Sequence, residues 1–306
     1  MVTGAAGFIG RYLLVELTRE GTHVCALVRN PVARLPELRA WVDAHGGAGE
    51  LVFAADFDLE APDLGLTPDG EAWLDRADAV FHLAARFEFG LSAEAARVAN
   101  VDASLRLVER VARSPRLERL VYLSGYRTEG GPARALDVDD PAALRRFYRD
   151  HGAYEASKME AHQRVARRAE ELGVPLTRVS PAVVIGHGET GETTQFIGLV
   201  ETLRLLHARR LPALPGDAST WLPLGHRGLG GGHLGPCARR PALARRAPGG
   251  LRRALARAAR PGEAGCRAHG CARAASPPAR VVGACTTDGA LGRGPRGPLV
   301  HQQRSL

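Results

Sequence analysis

Three glycines at a spacing of three, Gly4, Gly7 and Gly10, stand between the apolar Val2 and a stretch whose Phe8, Ile9, Leu13, Leu14 and Leu17 recur at helical spacing. Glycines placed between a strand and a helix allow a positive-φ turn, let the backbone approach a pyrophosphate, and let the helix seat closely on a sheet. The phosphates then sit on the helix N-terminus, where free N–H groups and aligned peptide dipoles favour negative charge. A chain carrying this stretch is constrained toward a strand–turn–helix unit of a parallel sheet. Thr3, Gly4, Gly7, Phe8, Ile9 and Gly10 become candidate dinucleotide contacts.

Downstream of the glycines, the chain keeps the rhythm that such a sheet needs. Apolar runs at 23–29, 50–55, 79–85, 119–123 and 175–179 read as further strands. Helical patterns separate them at 100–111 and from Tyr154 to about Leu172, where Gly173 is placed to end the helix. The alternation predicts an α/β fold with a doubly wound parallel sheet, a Rossmann fold, over 1–224. About 20 residues past the last glycine, an acid would bind the ribose 2′-hydroxyl of NAD, whereas a basic residue accommodates a 2′-phosphate. That place holds Arg29, with Arg11 as a second candidate, so NADP(H) is preferred over NAD(H). Asp56, just past the third strand, could accept from the adenine amino group. Ala84 and Ala85 are small enough for a cofactor to pass closely over the sheet, and His82 before them reads as a packed strand residue. The strand at 119–123 delivers Ser124 at its carboxyl end, where open parallel sheets bind ligands. The stretch 180–186, with Pro181 and Val183, turns the chain over the site.

Lys158 is the only lysine, every other cationic side chain apart from histidine being arginine. A single retained lysine marks a position where a compact ammonium with a tunable pKa serves and a planar guanidinium does not. Tyr154 lies four residues earlier, so on a helix the two side chains share a face, about 5 to 6 Å apart at Cβ. A phenol of pKa about 10 is a poor acid or base at neutral pH until a nearby cation favours its ionised form.

Taken in order, 3–10, His82 to Ala85, Ser124, the Tyr154-Glu155-Ala156-Ser157-Lys158 segment and 180–186 make the chain resemble the extended short-chain dehydrogenase/reductase family. The resemblance covers about residues 1 to 224 and implies an NAD(P)-dependent epimerase, dehydratase or reductase. It implies that Tyr154 is the general acid/base, that Lys158 lowers its pKa and holds the nicotinamide ribose, and that a serine, Ser124, binds the substrate oxygen. Asn100 matches the family's structural asparagine, and the family leans toward dimers. One departure concerns the serine: the family often shows two adjacent hydroxyl residues there, the second catalytic, and that second place is Gly125. Tyr126 or Thr128 could supply the missing hydroxyl. The expected activity is NADP(H)-dependent hydride transfer to or from a carbonyl or secondary alcohol of a small-molecule substrate. The alternatives are a sugar-nucleotide epimerase or dehydratase, and a catalytically silent NADP(H)-binding sensor or interaction protein.

Composition divides the chain. The net charge of +8 belongs to residues 225–306, which hold 15 Arg against Glu263 and Asp288; the part before them is mildly acidic. This segment has no Phe, Tyr, Trp or Ile and is built mostly of Ala, Arg, Gly and Pro, so it lacks the apolar bulk that offsets ordering entropy. It is expected to be disordered, or to be the product of a frameshift near Leu224 replacing the substrate-facing lobe that the resemblance implies. A natural basic tail is the rival reading. Its arginines lack interleaved aromatics, so base stacking with nucleic acid is not indicated, though phosphate contacts stay open. Only Met1 and Val2 precede the glycine turn, which suggests an initiation codon further upstream. No apolar run is long enough to span a membrane, and no secretory pattern leads the chain, so a cytoplasmic location with reduced thiols is expected. No metal site is expected.

Overall fold

The computed structural model describes residues 1–210 other than 89, 129–130, 189 and 195–198, together with the backbone of 224–227. Six strands form one parallel sheet: β1 (Val2–Thr3), β2 (Val24–Val28), β3 (Val52–Asp56), β4 (Ala79–His82), β5 (Arg119–Leu123) and β6 (Leu176–Val179). Their order is β3-β2-β1-β4-β5-β6. The chain starts at the middle and winds outward in both directions, so the switch point lies between β1 and β4, where a doubly wound sheet opens a crevice at its carboxyl edge.

Both faces of the sheet are covered, which is why its strands read as unbroken apolar runs. Val24, Ala26, Phe81 and Val121 face a core completed by Leu14 and Leu17 of α1 (Phe8–Arg19) and by Leu38 and Val42 of α2 (Pro31–Ala44). Their neighbours Cys25, Leu27, Val80, Leu120 and Tyr122 face the opposite core. There Leu74 of α3 (Pro68–Arg76), Leu107 of α5 (Ala103–Val111) and Val165 of α7 (Ala153–Glu171) close the layer. Helix starts follow local capping chemistry: Thr67 caps α3 and Asp140 caps α6 (Pro141–His151), each with proline at the next position. Gly152, at φ +79°, ends α6 and opens α7 without a linker. That joint places Tyr154 in the first turn of α7.

The sequence reading gave no place to α2, α3 and α6, and three further features differ from it. The helix read as starting at Asn100 begins at Ala93, because Ser92 caps α4 (Ala93–Ala96), and a π-helical turn, Arg97–Asp102, joins α4 to α5. The stretch after β6 is more than a turn. It becomes β7 (Val183–His187), which pairs in parallel with β8 (Leu224–Arg227) in a separate two-stranded sheet. A further helix, α8 (Leu199–His207), comes after β7. The expected boundary at 224/225 falls within β8, and the remainder of the 225–306 segment lies outside the described residues. No helix among the described residues is long and apolar enough to cross a membrane.

Candidate active site

The glycine turn is fixed by contacts only glycine permits. Gly4 has φ +68°, and a Cβ there would meet the backbone N of Ala84 at 2.8 Å, so the end of β4 packs directly on the turn. A Cβ on Gly10 would lie 2.2 Å from the Gly4 carbonyl oxygen, so α1 crosses the loop at closest approach. Gly7 at the N-cap carries no capping side chain, leaving the first helical N–H groups free for an anion. This cradle fits a dinucleotide pyrophosphate.

Thr3 ties the turn to β4. Its Oγ1 accepts from Leu83 N (3.2 Å) and Ala84 N (3.1 Å), so its own proton goes to His82 Nδ1 at 2.7 Å. His82 Nε2–H then donates to Ser104 Oγ (3.0 Å), which passes its proton to the Asn100 carbonyl (2.7 Å). Burial, with Lys158 nearby, pushes His82 down to about 3, matching a neutral ring used as a polar rivet. Asn100 sits in the π turn. Its Oδ1 accepts from Arg86 N (2.7 Å), while Nδ2 donates to Arg86 O (3.1 Å) and Ser157 Oγ (3.0 Å); Ser157 donates to the Tyr154 carbonyl (2.8 Å). One amide thus holds the exit of β4 against the first turn of α7.

Tyr154 packs edge-on against Phe87, with centroids 4.4 Å apart, and its hydroxyl has no hydrogen-bond partner among the described residues. Burial, with Glu155 adding, pushes the phenol up to about 12. Lys158 is buried, donates from Nζ to the Leu123 carbonyl (2.9 Å) and lies 5.2 Å from the Tyr122 ring centroid. Desolvation brings it down to about 8, against the pull of Glu155. Burial and Glu155 both raise the phenol, and Lys158 does not enter among the causes of that shift. At neutral pH the site holds a protonated phenol beside a charged ammonium.

Ser124 follows β5 but turns inward. Arg178 can only donate, so its contact makes His162 Nε2 the acceptor and leaves the neutral ring's proton on Nδ1. That Nδ1–H donates to Ser124 Oγ (2.8 Å), Ser124 donates to Thr128 Oγ1 (3.0 Å), and Thr128 to the Gly125 carbonyl (2.7 Å). Both hydroxyl protons are engaged within the chain. A Cβ on Gly125 would meet no atom within 4 Å, so the family's second hydroxyl has space but no residue to carry it. Tyr126 is partly exposed, and its backbone N donates to the Pro181 carbonyl (3.1 Å).

At the far edge of the crevice, Arg29 is exposed beyond β2 with no partner among the described residues. Arg11 is engaged: Nη2 meets Glu37 at 2.5 Å, and Glu37 also accepts from Arg34 at 2.9 Å. Arg34, which the sequence reading passed over, therefore joins Arg11 and Arg29 at the edge expected to meet a ribose. Asp56 is half-buried at the end of β3, and Val183 opens β7. Phe87, Ser157 and His162 were also missed, although Ser157 lies inside the Tyr154–Lys158 segment and His162 stands one helical turn past Lys158.

The two buried histidines predict acid lability. His82 and His162 are held at about 3 and about 4 by burial, against about 6.5 in an unfolded chain. Folded pKa values below unfolded ones mean that unfolding takes up protons. The contribution of the two histidines is therefore full above pH 6.5 and declines as pH falls toward 4, at up to about 1.4 kcal/mol per pH unit per histidine. Urea midpoints measured from pH 7.5 to 4.5 should fall, and His162→Gln should flatten the slope; an unchanged slope would refute this role.

The family model described as male sterility protein matches residues 2–225. A hybrid PKS-NRPS synthetase, poxE of Penicillium oxalicum, is 28% identical over 226 residues, covering 72% of this chain and 5% of that protein. The aldehyde reductase lnaA of Aspergillus flavus is 29% identical over 211 residues, covering 62% and 20%. Among solved structures, the terminal R domain from the myxalamid PKS-NRPS biosynthetic pathway aligns at a TM-score of 0.59 and 26% identity, covering 74% of this chain and 58% of that one. The chain thus spans a small fraction of these curated relatives.

Proposed function

The chain belongs to the male sterility protein family, within the extended short-chain dehydrogenase/reductases and their NAD(P)-binding domain, and from that premise we propose that it is an NADP(H)-dependent reductase of a small-molecule carbonyl. The observation that carries this reading is the pairing in the first turns of α7: a phenol with no hydrogen-bond partner among the described residues, kept protonated at neutral pH, and a buried ammonium one turn away. A group in that state is set to give a proton, the direction a reduction needs. An aldehyde reductase among the relatives supports an aldehyde as the carbonyl.

The bound nicotinamide would supply hydride. Residues of this chain do the rest. The N-terminus of α1 and the Gly4–Gly10 turn hold the pyrophosphate, and Arg29, with Arg34 and Arg11, meets the 2′-phosphate. Lys158, anchored on Leu123, holds the nicotinamide ribose and stabilises the phenolate left when Tyr154 gives its proton to the substrate oxygen. Asn100 positions Tyr154 through Ser157. Ser124 supports α7 through His162.

The inward-turned Ser124 and Thr128 and the bare Gly125 favour one second reading, a dinucleotide-binding protein without turnover. Incubation with NADPH or NADH and a panel of aldehydes and ketones, read as cofactor oxidation, separates the two. The reductase reading expects turnover that prefers NADPH, a preference that Arg29→Glu lowers about tenfold, as loss of a charge-assisted contact implies. NADPH binding with no turnover of any carbonyl would leave the second reading standing.

A further inference from the structure

We propose that Phe87 is a specificity-determining residue whose open side receives an aryl ring bonded to the substrate's carbonyl carbon, so that the chain prefers aromatic aldehydes to hydroxylated ones. This rests on the reductase reading and names the substrate class. Phe87 touches the proposed proton donor directly: its ring centroid lies 4.4 Å from that of Tyr154, at an interplanar angle of 70°. The contact still leaves Phe87 44% exposed, so part of a ring resting on the phenol stays open. A phenylalanine placed there for packing alone would bury that area. The backbone beside it is pinned. Asn100 accepts from Arg86 N at 2.7 Å and donates to Arg86 O at 3.1 Å. The same amide donates to Ser157, which in turn holds the Tyr154 carbonyl. One side chain thus sets both Phe87 and Tyr154.

Six large apolar side chains among the described residues are exposed, and the two aromatic ones, Phe87 and Tyr126, follow the ends of β4 and β5. Those strands pair in parallel, so both residues leave the sheet at its carboxyl edge. Charges next to them in the chain are cancelled locally: Arg86 meets Glu60 (2.6 Å) and Glu88 (2.9 Å), and Arg127 lies 4.0 Å from Glu155. Asn100 and Ser157 spend their polar groups on Arg86, on each other and on the Tyr154 carbonyl. A hydroxylated substrate would give up water against the Phe87 ring and gain no hydrogen bond in return. An aryl group has no such cost and gains an aromatic contact.

The test measures kcat/KM with NADPH for benzaldehyde and for glyceraldehyde, in the full native chain and in two variants. The intrinsic reactivities of the aldehydes are common to all three proteins, so changes in the ratio of the two values report the contact with Phe87. Phe87→Ala should lower the benzaldehyde-to-glyceraldehyde ratio about tenfold, as loss of an aromatic pair with its buried area implies. Phe87→Leu keeps bulk against Tyr154 without a ring and should lower it about threefold. A residue that only positions Tyr154 would slow both substrates alike. An unchanged ratio in the variants, or a native chain that favours glyceraldehyde, would therefore overturn the proposal. If neither aldehyde turns over, the reductase reading fails separately. Benzyl alcohol titrated into the chain with NADP⁺ present, the linewidth of its ring protons reporting binding, then decides for Phe87 alone: weaker binding by Phe87→Ala supports the proposal, and equal or absent binding refutes it.

Discussion

Tyr154→Phe should lower carbonyl turnover by about 10²- to 10⁴-fold, the usual worth of a positioned proton donor, while the protein folds and binds NADPH as before. The phenylalanine keeps the ring against Phe87, and the lost hydroxyl has no partner among the described residues, so stability should move by no more than about 0.5 kcal/mol. A loss of activity can then be read as lost proton transfer and not as unfolding. Lys158→Met is the informative companion. The folded lysine at about 8, against an ordinary 10.5, makes its ammonium cost about 3 kcal/mol below pH 8. Methionine removes that cost and gives up one hydrogen bond to Leu123, worth about 1 kcal/mol, so the variant should be inactive yet more stable at pH 7. Because a lysine with a lowered folded pKa regains stability as pH rises from 8 to 10.5, the variant's advantage should shrink over that window. Full activity in Tyr154→Phe, or a destabilised Lys158→Met, would remove the chemical centre proposed for this chain.

The sequence carried the sheet because a parallel strand covered on both faces is a continuous apolar run, and the runs ending at Val28, Asp56 and Leu123 are bounded by polar or small residues. It could not carry the π turn: six residues are too few to show a periodicity of their own, yet that turn aims Asn100 at both Arg86 and Ser157. Tyr154 and Lys158 were legible as a helical pair, since i, i+4 spacing is local. Their pKa values were not, because burial is set by β5, Phe87 and the sheet beneath. The direction of Ser124 depends on His162 and Arg178, which reach it from α7 and β6, so no local pattern tells that its proton turns inward. The 225–306 segment was distinguished by composition alone, and β8 at its edge pairs with a β7 that the sequence offered only as a turn.

Gly10→Ala should destabilise the protein by about 2 kcal/mol and abolish dinucleotide binding, although alanine is the better helix former. Inside α1 the exchange gains about 1 kcal/mol in propensity. Against that stands a Cβ that would lie 2.2 Å from the Gly4 carbonyl oxygen and 2.7 Å from Ala5 Cα, both backbone atoms that cannot swing aside. Overpacking against side chains usually costs about 1 to 3 kcal/mol, and backbone on both sides puts this position at the upper end. Relief requires the turn to lift, but Gly4 is pressed on Ala84, and Thr3 is hydrogen-bonded to the same stretch of β4, so the strain passes into the switch point of the sheet. The melting temperature should drop by roughly 4 to 8 °C for a domain of this size. Gly125→Ala makes the same chemical change where no atom lies within 4 Å, and should leave both melting temperature and NADPH affinity unaltered. Equal behaviour of the two variants would mean that the close crossing of α1 over the turn is not what holds the cradle in shape.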